Sequence, residues 1–276
     1  MTTHNQDELR KQLNMPYTLS ESAIAYFRKN GYVKLKQVLS PEVIDFYGAE
    51  ITRMVIALNT QTKPVAERNT YEKAFLQIMN LWTKDDLVKE FAFSKRLGRV
   101  AAELMGVAGV RIYHDQALYK EPGGGITPWH ADQFYWPLSN SNTCTVWIPL
   151  QATPVELGPL AFSIGSQMFE NGRDLGISDD SEQKMAFNLR NFPLDEGPFD
   201  LGEVSFHSGW TFHRASPNTS DRPRAVMTMI YMEDGIKLVA PKHKNHENDW
   251  AAWMPGAHVG EAVATPLNPV IYSAYA

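Results

Sequence analysis

Residues 202–225 read GEVSFHSGWTFHRASPNTSDRPRA. A strand pattern over Glu203–Phe206 opens the stretch, and the turn-forming run Ser216–Pro223 nearly closes it. A second strand pattern, Ala225–Met232, follows, with Val226, Met227, Met229 and Tyr231 interleaved with Thr228. Short apolar runs bounded by Pro, Asn, Asp and Ser mark strands rather than helices. Upstream, Val110–Lys120 and Thr143–Gln151 read the same way. Gly123-Gly124-Gly125, Gly158-Pro159 and Arg222-Pro223 punctuate the series.

Before residue 107 the pattern is different. Residues 1–16 read as a mobile lead-in. Thr18-Leu19-Ser20-Glu21 reads as a capping box, with Ile24 and Phe27 following at helical spacing until Asn30-Gly31. Tyr32–Leu35 is a short strand. Ser40-Pro41 starts a second helix that carries Val43, Phe46, Tyr47, Ile51, Met54, Val55 and Leu58 at helical period. Residues 60–70 are a polar loop, and Tyr71 to Met105 is expected to form two or three helices. Helices first and short strands afterwards predict one domain over 1–276. It is mainly β with flanking helices: a helical buttress over 1–106 and a barrel or double-sheet core over 107–276. The polar stretch 167–202 is long for a plain connection and is expected to be a lid or binding loop.

Composition narrows the function. The chain has 276 residues, of which 43% are hydrophobic, so a sizeable core is available. The net charge of −5, without a dense Lys/Arg run, argues against nucleic acid and anionic membranes as partners. A lone cysteine, Cys144, excludes an intrachain disulfide and fits a buried small residue in a reducing compartment. The polar N-terminus lacks the apolar segment of a secretory signal, and no apolar run reaches membrane-spanning length. A cytoplasmic location is expected, with the sequon at Asn218 idle.

Chemistry concentrates in PWHADQFYWP, residues 128–137. His130 and Asp132 are two apart, so on extended backbone they face the same way and can reach one ion. A third ligand would complete the two-histidine, one-carboxylate triad typical of non-haem Fe(II) oxygenases. His207 and His213 are both available, and the residues alone do not choose between them. Arg224 opens the next strand and is placed to hold a carboxylate through a bidentate contact; Arg222 competes, but Pro223 separates it from the strand.

Taken in order, the H-x-D pair, TVWIPL (145–150), GPLAFSIGSQ (158–167) and the 202–225 stretch resemble the phytanoyl-CoA dioxygenase family. The likeness extends from AIAYFRKNGYVKLKQVLSPEVI (23–44) to WMPGAHVGEAVATPLNPVIY (253–272). It implies a double-stranded β-helix (jelly-roll, cupin-like) core. It also implies Fe(II), with 2-oxoglutarate and O2 as cosubstrates and ascorbate as a reductant. The implied reaction is oxidation of a small molecule, most simply hydroxylation, with release of succinate and CO2. Desaturation, epimerisation and ring closure draw on the same cofactors. The family's eleven-residue spacing between the distal histidine and the cosubstrate arginine selects His213 with Arg224. The resemblance places Trp147, Gln116, Thr127, Ser216 and Lys120 around the cosubstrate. Phe134, Tyr135, Trp136, His207 and Trp210 are the candidate substrate residues, and no catalytic side chain beyond the metal ligands is implied. The chain departs from the family pattern at Gly202-Glu203 and at Gly165-Ser166-Gln167. His243 and His246 read as parts of a solvated loop, and His114 and His258 as structural or surface residues.

Overall fold

The computed structural model describes residues 3–275; the extreme ends of the expected 1–276 domain, including the first two residues of the expected lead-in, lie outside them. The helices are α1 (Thr3–Asn14), α2 (Glu21–Asn30), α3 (Pro41–Leu58), α4 (Thr70–Ala74), α5 (Asp86–Ala92), α6 (Lys95–Met105), α7 (Asp179–Asn188) and α8 (Lys244–Trp253). The strands are β1 (Tyr32–Leu35), β2 (Leu76–Met79), β3 (Gly109–Tyr119), β4 (Thr127–His130), β5 (Thr143–Pro149), β6 (Leu160–Ser163), β7 (Leu194–Asp195), β8 (Val204–Ser208), β9 (His213–Ala215), β10 (Val226–Glu233) and β11 (Val270–Ser273). One antiparallel sheet runs β1-β8-β5-β10-β3-β11, with β2 also paired to β3; a second runs β4-β9-β6-β7. Together they form a double-stranded β-helix.

The alternation of β10 explains the layering. Met227, Met229 and Tyr231 join the core that β10 shares with the N-terminal helices, where Ile44, Tyr47 and Ile51 of α3 and Leu97, Ala101 and Leu104 of α6 are buried. Val226, Thr228 and Ile230 face the other way, into the space between the sheets. Strand β3 needs a correction to do the same. Val110 and Ile112 point to the helices, but Ile230 pairs with His114 while Tyr231 pairs with Ile112, so Tyr113 is an extra residue. This β-bulge re-aims everything after it. His114, Gln116 and Leu118 thereby face the cavity, while Ala117 and Tyr119 pack on the helices.

Three expectations are overturned. Residues 3–14 are a helix rather than a mobile lead-in, because Leu9 and Leu13 bury themselves in the main core and the Ser94 hydroxyl donates to the Leu13 carbonyl at 2.7 Å. Leu13→Ala is therefore expected to cost about 2–5 kcal/mol, read as a shifted urea midpoint; a mobile tail would leave the midpoint unchanged. The cap of α2 is Ser20, whose hydroxyl accepts from the Ala23 amide, and not Thr18. Residues 76–79, expected to be helical, form β2, because the free edge of β3 offers backbone partners that outweigh a four-residue propensity. The stretch 167–202 holds α7, and Gly176 and Ile177 within it border the cavity. Among the described residues no helix is long and apolar enough to cross a membrane.

Candidate metal centre and cosubstrate pocket

The two sheets bring the candidate ligands together through register. His130 at the end of β4 lies directly opposite His213 at the start of β9. Ala131 stays extended at φ −124 and ψ 130, so the two-residue alternation carries past the strand end and turns Asp132 toward the same point. One donor atom from each of His130, Asp132 and His213 lies within 4.8 Å of the others. Asp132 Oδ1 is 3.7 Å from His130 Nε2 and 3.6 Å from His213 Nε2.

The partners behind these ligands aim them. His130 Nδ1 is 2.7 Å from the Pro128 carbonyl and His213 Nδ1 is 2.9 Å from the Thr211 carbonyl. Donating there fixes each ring and leaves an Nε2 lone pair for a metal. Thr145 donates its hydroxyl to Asp132 Oδ2 at 2.8 Å, and His207 Nε2 approaches the same oxygen at 3.2 Å. Oδ2 is thus occupied, and Oδ1 faces the histidines. Burial, followed by the neighbouring His213, pulls His130 down to about 4; burial likewise pulls His213 to about 4. Both rings are neutral at pH 7, as ligation requires. Burial alone would raise Asp132, but His213, His207 and His130 outweigh it and hold the carboxyl far below its ordinary range. Two buried, neutral imidazoles and one partly buried carboxylate, grouped within 4.8 Å, are the donor set of a facial Fe(II) site. Thr145→Val is expected to weaken Fe(II) binding about 10–100-fold by freeing the carboxylate to turn; anaerobic titration with Fe(II) measures it.

A cavity of about 540 Å³ opens beside this centre. Arg224, 2% exposed, lies in its wall. Its Nη1 donates to the Gly158 carbonyl, its Nε has no partner, and no acidic side chain among the described residues pairs with it. Burial lowers the guanidinium to about 9, so it remains charged at neutral pH. An isolated buried cation is costly unless an anion joins it. Gly158 must be glycine: its φ is +66, and a Cβ would stand 2.2 Å from the Ser216 carbonyl oxygen. Arg222, by contrast, is exposed.

Trp147, Gln116, Thr127, Tyr135, Trp136 and His207 line the cavity. Four other expected site residues do not. The Ser216 hydroxyl turns away to Glu196. Lys120 is fully buried behind the wall, its Nζ 2.5 Å from the Gly125 carbonyl and 3.0 Å from that of Ser216. It ties the glycine-rich turn to β9 rather than facing a ligand. Phe134 stacks on His243 at 4.5 Å, and Trp210 donates to Ser141; both line a separate surface cleft. The short helical turn Asp132–Tyr135 explains Phe134, because it sends consecutive side chains in different directions. His243 and His246 are not in a solvated loop either. They cap and begin α8, and His246 is 7% exposed with Nε2 3.0 Å from the Phe134 carbonyl.

Several lining residues were not among the expected site residues. His114, expected to be structural or surface, reaches the cavity through the β3 bulge. Tyr71 and Gln77 arrive on α4 and β2, and Asp249 and Trp253 on α8. For β3 a signal did exist: His114, Gln116 and Leu118 alternate.

Comparison with known proteins places this geometry. The probable alpha-ketoglutarate-dependent hypophosphite dioxygenase of Stutzerimonas stutzeri is 23% identical over 215 residues, spanning 73% of this chain and 74% of that protein. The methylphosphonate hydroxylase of Gimesia maris is 25% identical over 230 residues, spanning 79% and 82%. The solved structure of the non-heme alpha-ketoglutarate-dependent carbocyclase SnoK from nogalamycin biosynthesis superposes with a TM-score of 0.76 at 24% identity, over 94% of this chain and 100% of that one. The family model for phytanoyl-CoA dioxygenase (PhyH) matches residues 27–226, a span that contains β1 through β9, all three candidate metal ligands and Arg224. This chain therefore belongs to the phytanoyl-CoA dioxygenase family, whose members are iron- and 2-oxoglutarate-dependent oxygenases.

Proposed function

We propose that this protein hydroxylates a small organic molecule, using Fe(II), 2-oxoglutarate and O2. The observation that carries the reading is the pairing of an aimed two-histidine, one-carboxylate cluster with a buried, unpartnered arginine in one cavity. Bound Fe(II) would supply O2 activation coupled to oxidative decarboxylation of 2-oxoglutarate, giving succinate and CO2.

The chain's own residues divide the remaining work. His130, Asp132 and His213 would hold the ion from one side, leaving the cavity side for ligands. Arg224 would take the distal carboxylate of 2-oxoglutarate, with Trp147, whose ring centroid is 5.5 Å from the guanidinium, as a wall beside it. Thr127 and Gln116 would offer polar contacts along the same wall. Gln116 is already oriented, since its Oε1 accepts from Gln77 Nε2 at 2.6 Å. Thr145 and His207 keep Asp132 turned so that one oxygen points to the ion. Tyr135 and Trp136, with Gly176 and Ile177 above, would exclude water and place substrate. The Tyr135 hydroxyl accepts from the Ile177 amide at 2.9 Å and so ties the 167–202 segment over the mouth.

Ring closure is the second reading, favoured by the fold likeness to a carbocyclase. Succinate release on adding Fe(II), ascorbate and 2-oxoglutarate under air tests the oxygenase reading, since uncoupled turnover needs no true substrate. Once a substrate is found, product mass separates the two reactions: hydroxylation adds one oxygen atom, whereas closure removes two hydrogens. No succinate, with iron bound, would leave a binding protein on an oxygenase scaffold.

A further inference from the structure

One carboxylate in the cavity has no role in holding metal or cosubstrate. Asp249 on α8 lines the same space as the metal cluster. Its Oδ2 accepts from the Tyr113 hydroxyl at 2.9 Å, and its Oδ1 has no hydrogen-bond partner among the described residues. Tyr71, Tyr135, Trp136 and Trp253 line the same cavity. His114, 4% exposed and packed 5.1 Å from the Trp253 ring, lines the wall too, and its Nδ1 has no partner.

Charge makes Asp249 informative. Among the described residues, the only lysine or arginine lining the cavity is Arg224. If 2-oxoglutarate and Fe(II) bind as argued above, the ion's two charges and Arg224 match Asp132 and the two carboxylates of the cosubstrate. Asp249 is then the lining carboxylate left without a cationic partner among the described residues, in a partly buried place. Lys120 stands behind the wall, its Nζ engaged by the carbonyls of Gly125 and Ser216. His114 is neutral, held near 4 mainly by burial. Burial raises Asp249 itself to about 7, a desolvation that a bound cation would offset. A carboxylate that shares a cavity with aromatic side chains suits an ammonium group, which can gain both an ion pair and cation–π contacts.

We infer that the substrate is an organic amine, bound with its ammonium on Asp249 and its carbon skeleton between the aromatic rings and the metal. This rests on the cosubstrate reading above. It also separates the chain from the two relatives described above, whose names give hypophosphite and methylphosphonate. Phosphorus oxyacids are anions, and among the described residues no lining lysine or arginine is left to receive one.

The test uses the full chain loaded with Mn(II) and 2-oxoglutarate under nitrogen. Phenethylamine, 2-phenylethanol, phenylacetate and methylphosphonate are titrated in, with tryptophan fluorescence and calorimetry as readouts. The amine is expected to bind about tenfold or more tightly than the alcohol, with both anions weaker still. Asp249→Asn keeps an acceptor for Tyr113 and should level amine and alcohol while leaving 2-oxoglutarate affinity unchanged. Equal binding of all four in the wild type, no binding of the amine, or anions ahead of it overturns the proposal without recourse to any variant. An amine preference that survives Asp249→Asn also overturns it. Titrating 2-oxoglutarate separately tells the two readings apart: if it binds and the amine ranking is absent, only the amine assignment falls. If it does not bind, the charge argument loses its basis and both fall.

Discussion

His213→Ala is expected to abolish stoichiometric Fe(II) binding and with it all 2-oxoglutarate turnover. The same is expected of His130→Ala and Asp132→Ala. Each removes one of three donors grouped within 4.8 Å, and no fourth histidine, cysteine or carboxylate joins that group among the described residues. The loss should exceed the roughly 10–100-fold that removal of an outer partner costs. His207→Ala is the informative contrast. His207 stands on β8 with its Nε2 toward Asp132 Oδ2, the oxygen that Thr145 also holds, while Oδ1 faces His130 and His213. It should therefore weaken Fe(II) binding only by about 10–100-fold. Anaerobic Fe(II) titration, with absorbance in the presence of 2-oxoglutarate, reads all four variants. If His207→Ala loses the ion and His213→Ala retains it, the ligand assignment is reversed. Asp132→Gly belongs to the same series: it vacates one coordination position, and undiminished hydroxylation would show that Asp132 is not a ligand.

Arg224→Ala is expected to raise the apparent KM for 2-oxoglutarate by about one to three decades. Two charge-assisted hydrogen bonds in a dry pocket, with one partner then left unpaired, correspond to about 2–5 kcal/mol at ~1.4 kcal/mol per decade. Burial at 2% exposure with no acidic partner removes the ordinary alternative, a solvated ion pair worth under about 1 kcal/mol. Arg224→Lys should lose less, because it keeps the charge and loses the fork. Fe(II) affinity should barely move in either variant. A 2-oxo acid lacking the distal carboxylate should discriminate less between wild type and Arg224→Ala than 2-oxoglutarate does. An unchanged KM would remove the cosubstrate from this wall.

Local patterns carried a good part of the fold. Strand β10, helix α3 with its Ser40 cap and Pro41 start, and the turn Ser216–Pro223 follow from residue type and spacing within one segment. The buried Asn218 illustrates the last: its side-chain amide donates to the Arg222 carbonyl at 2.7 Å and to that of Lys120 at 3.1 Å, so the sequon is a turn device. The H-x-D pair was readable because extended backbone alternates, and Arg224 because a strand start after a turn faces one way.

What the sequence could not decide depends on partners distant along the chain. Whether residues 76–79 are helix or strand turns on the open edge of β3, some forty positions later. His207 and His213 are equal as isolated residues; cross-strand register separates them, setting His213 opposite His130 and His207 opposite Thr145. Phe134 and Trp210 left the expected substrate wall, and Lys120 and Ser216 the cosubstrate wall, because a single helical turn, or one buried hydrogen bond, redirects a side chain without leaving a compositional trace. The bulge at Tyr113 is the sharpest case. One unpaired residue in β3 exchanges the two faces of the strand and turns His114, Gln116 and Leu118 inward, and strand pairing alone determines where that residue is placed.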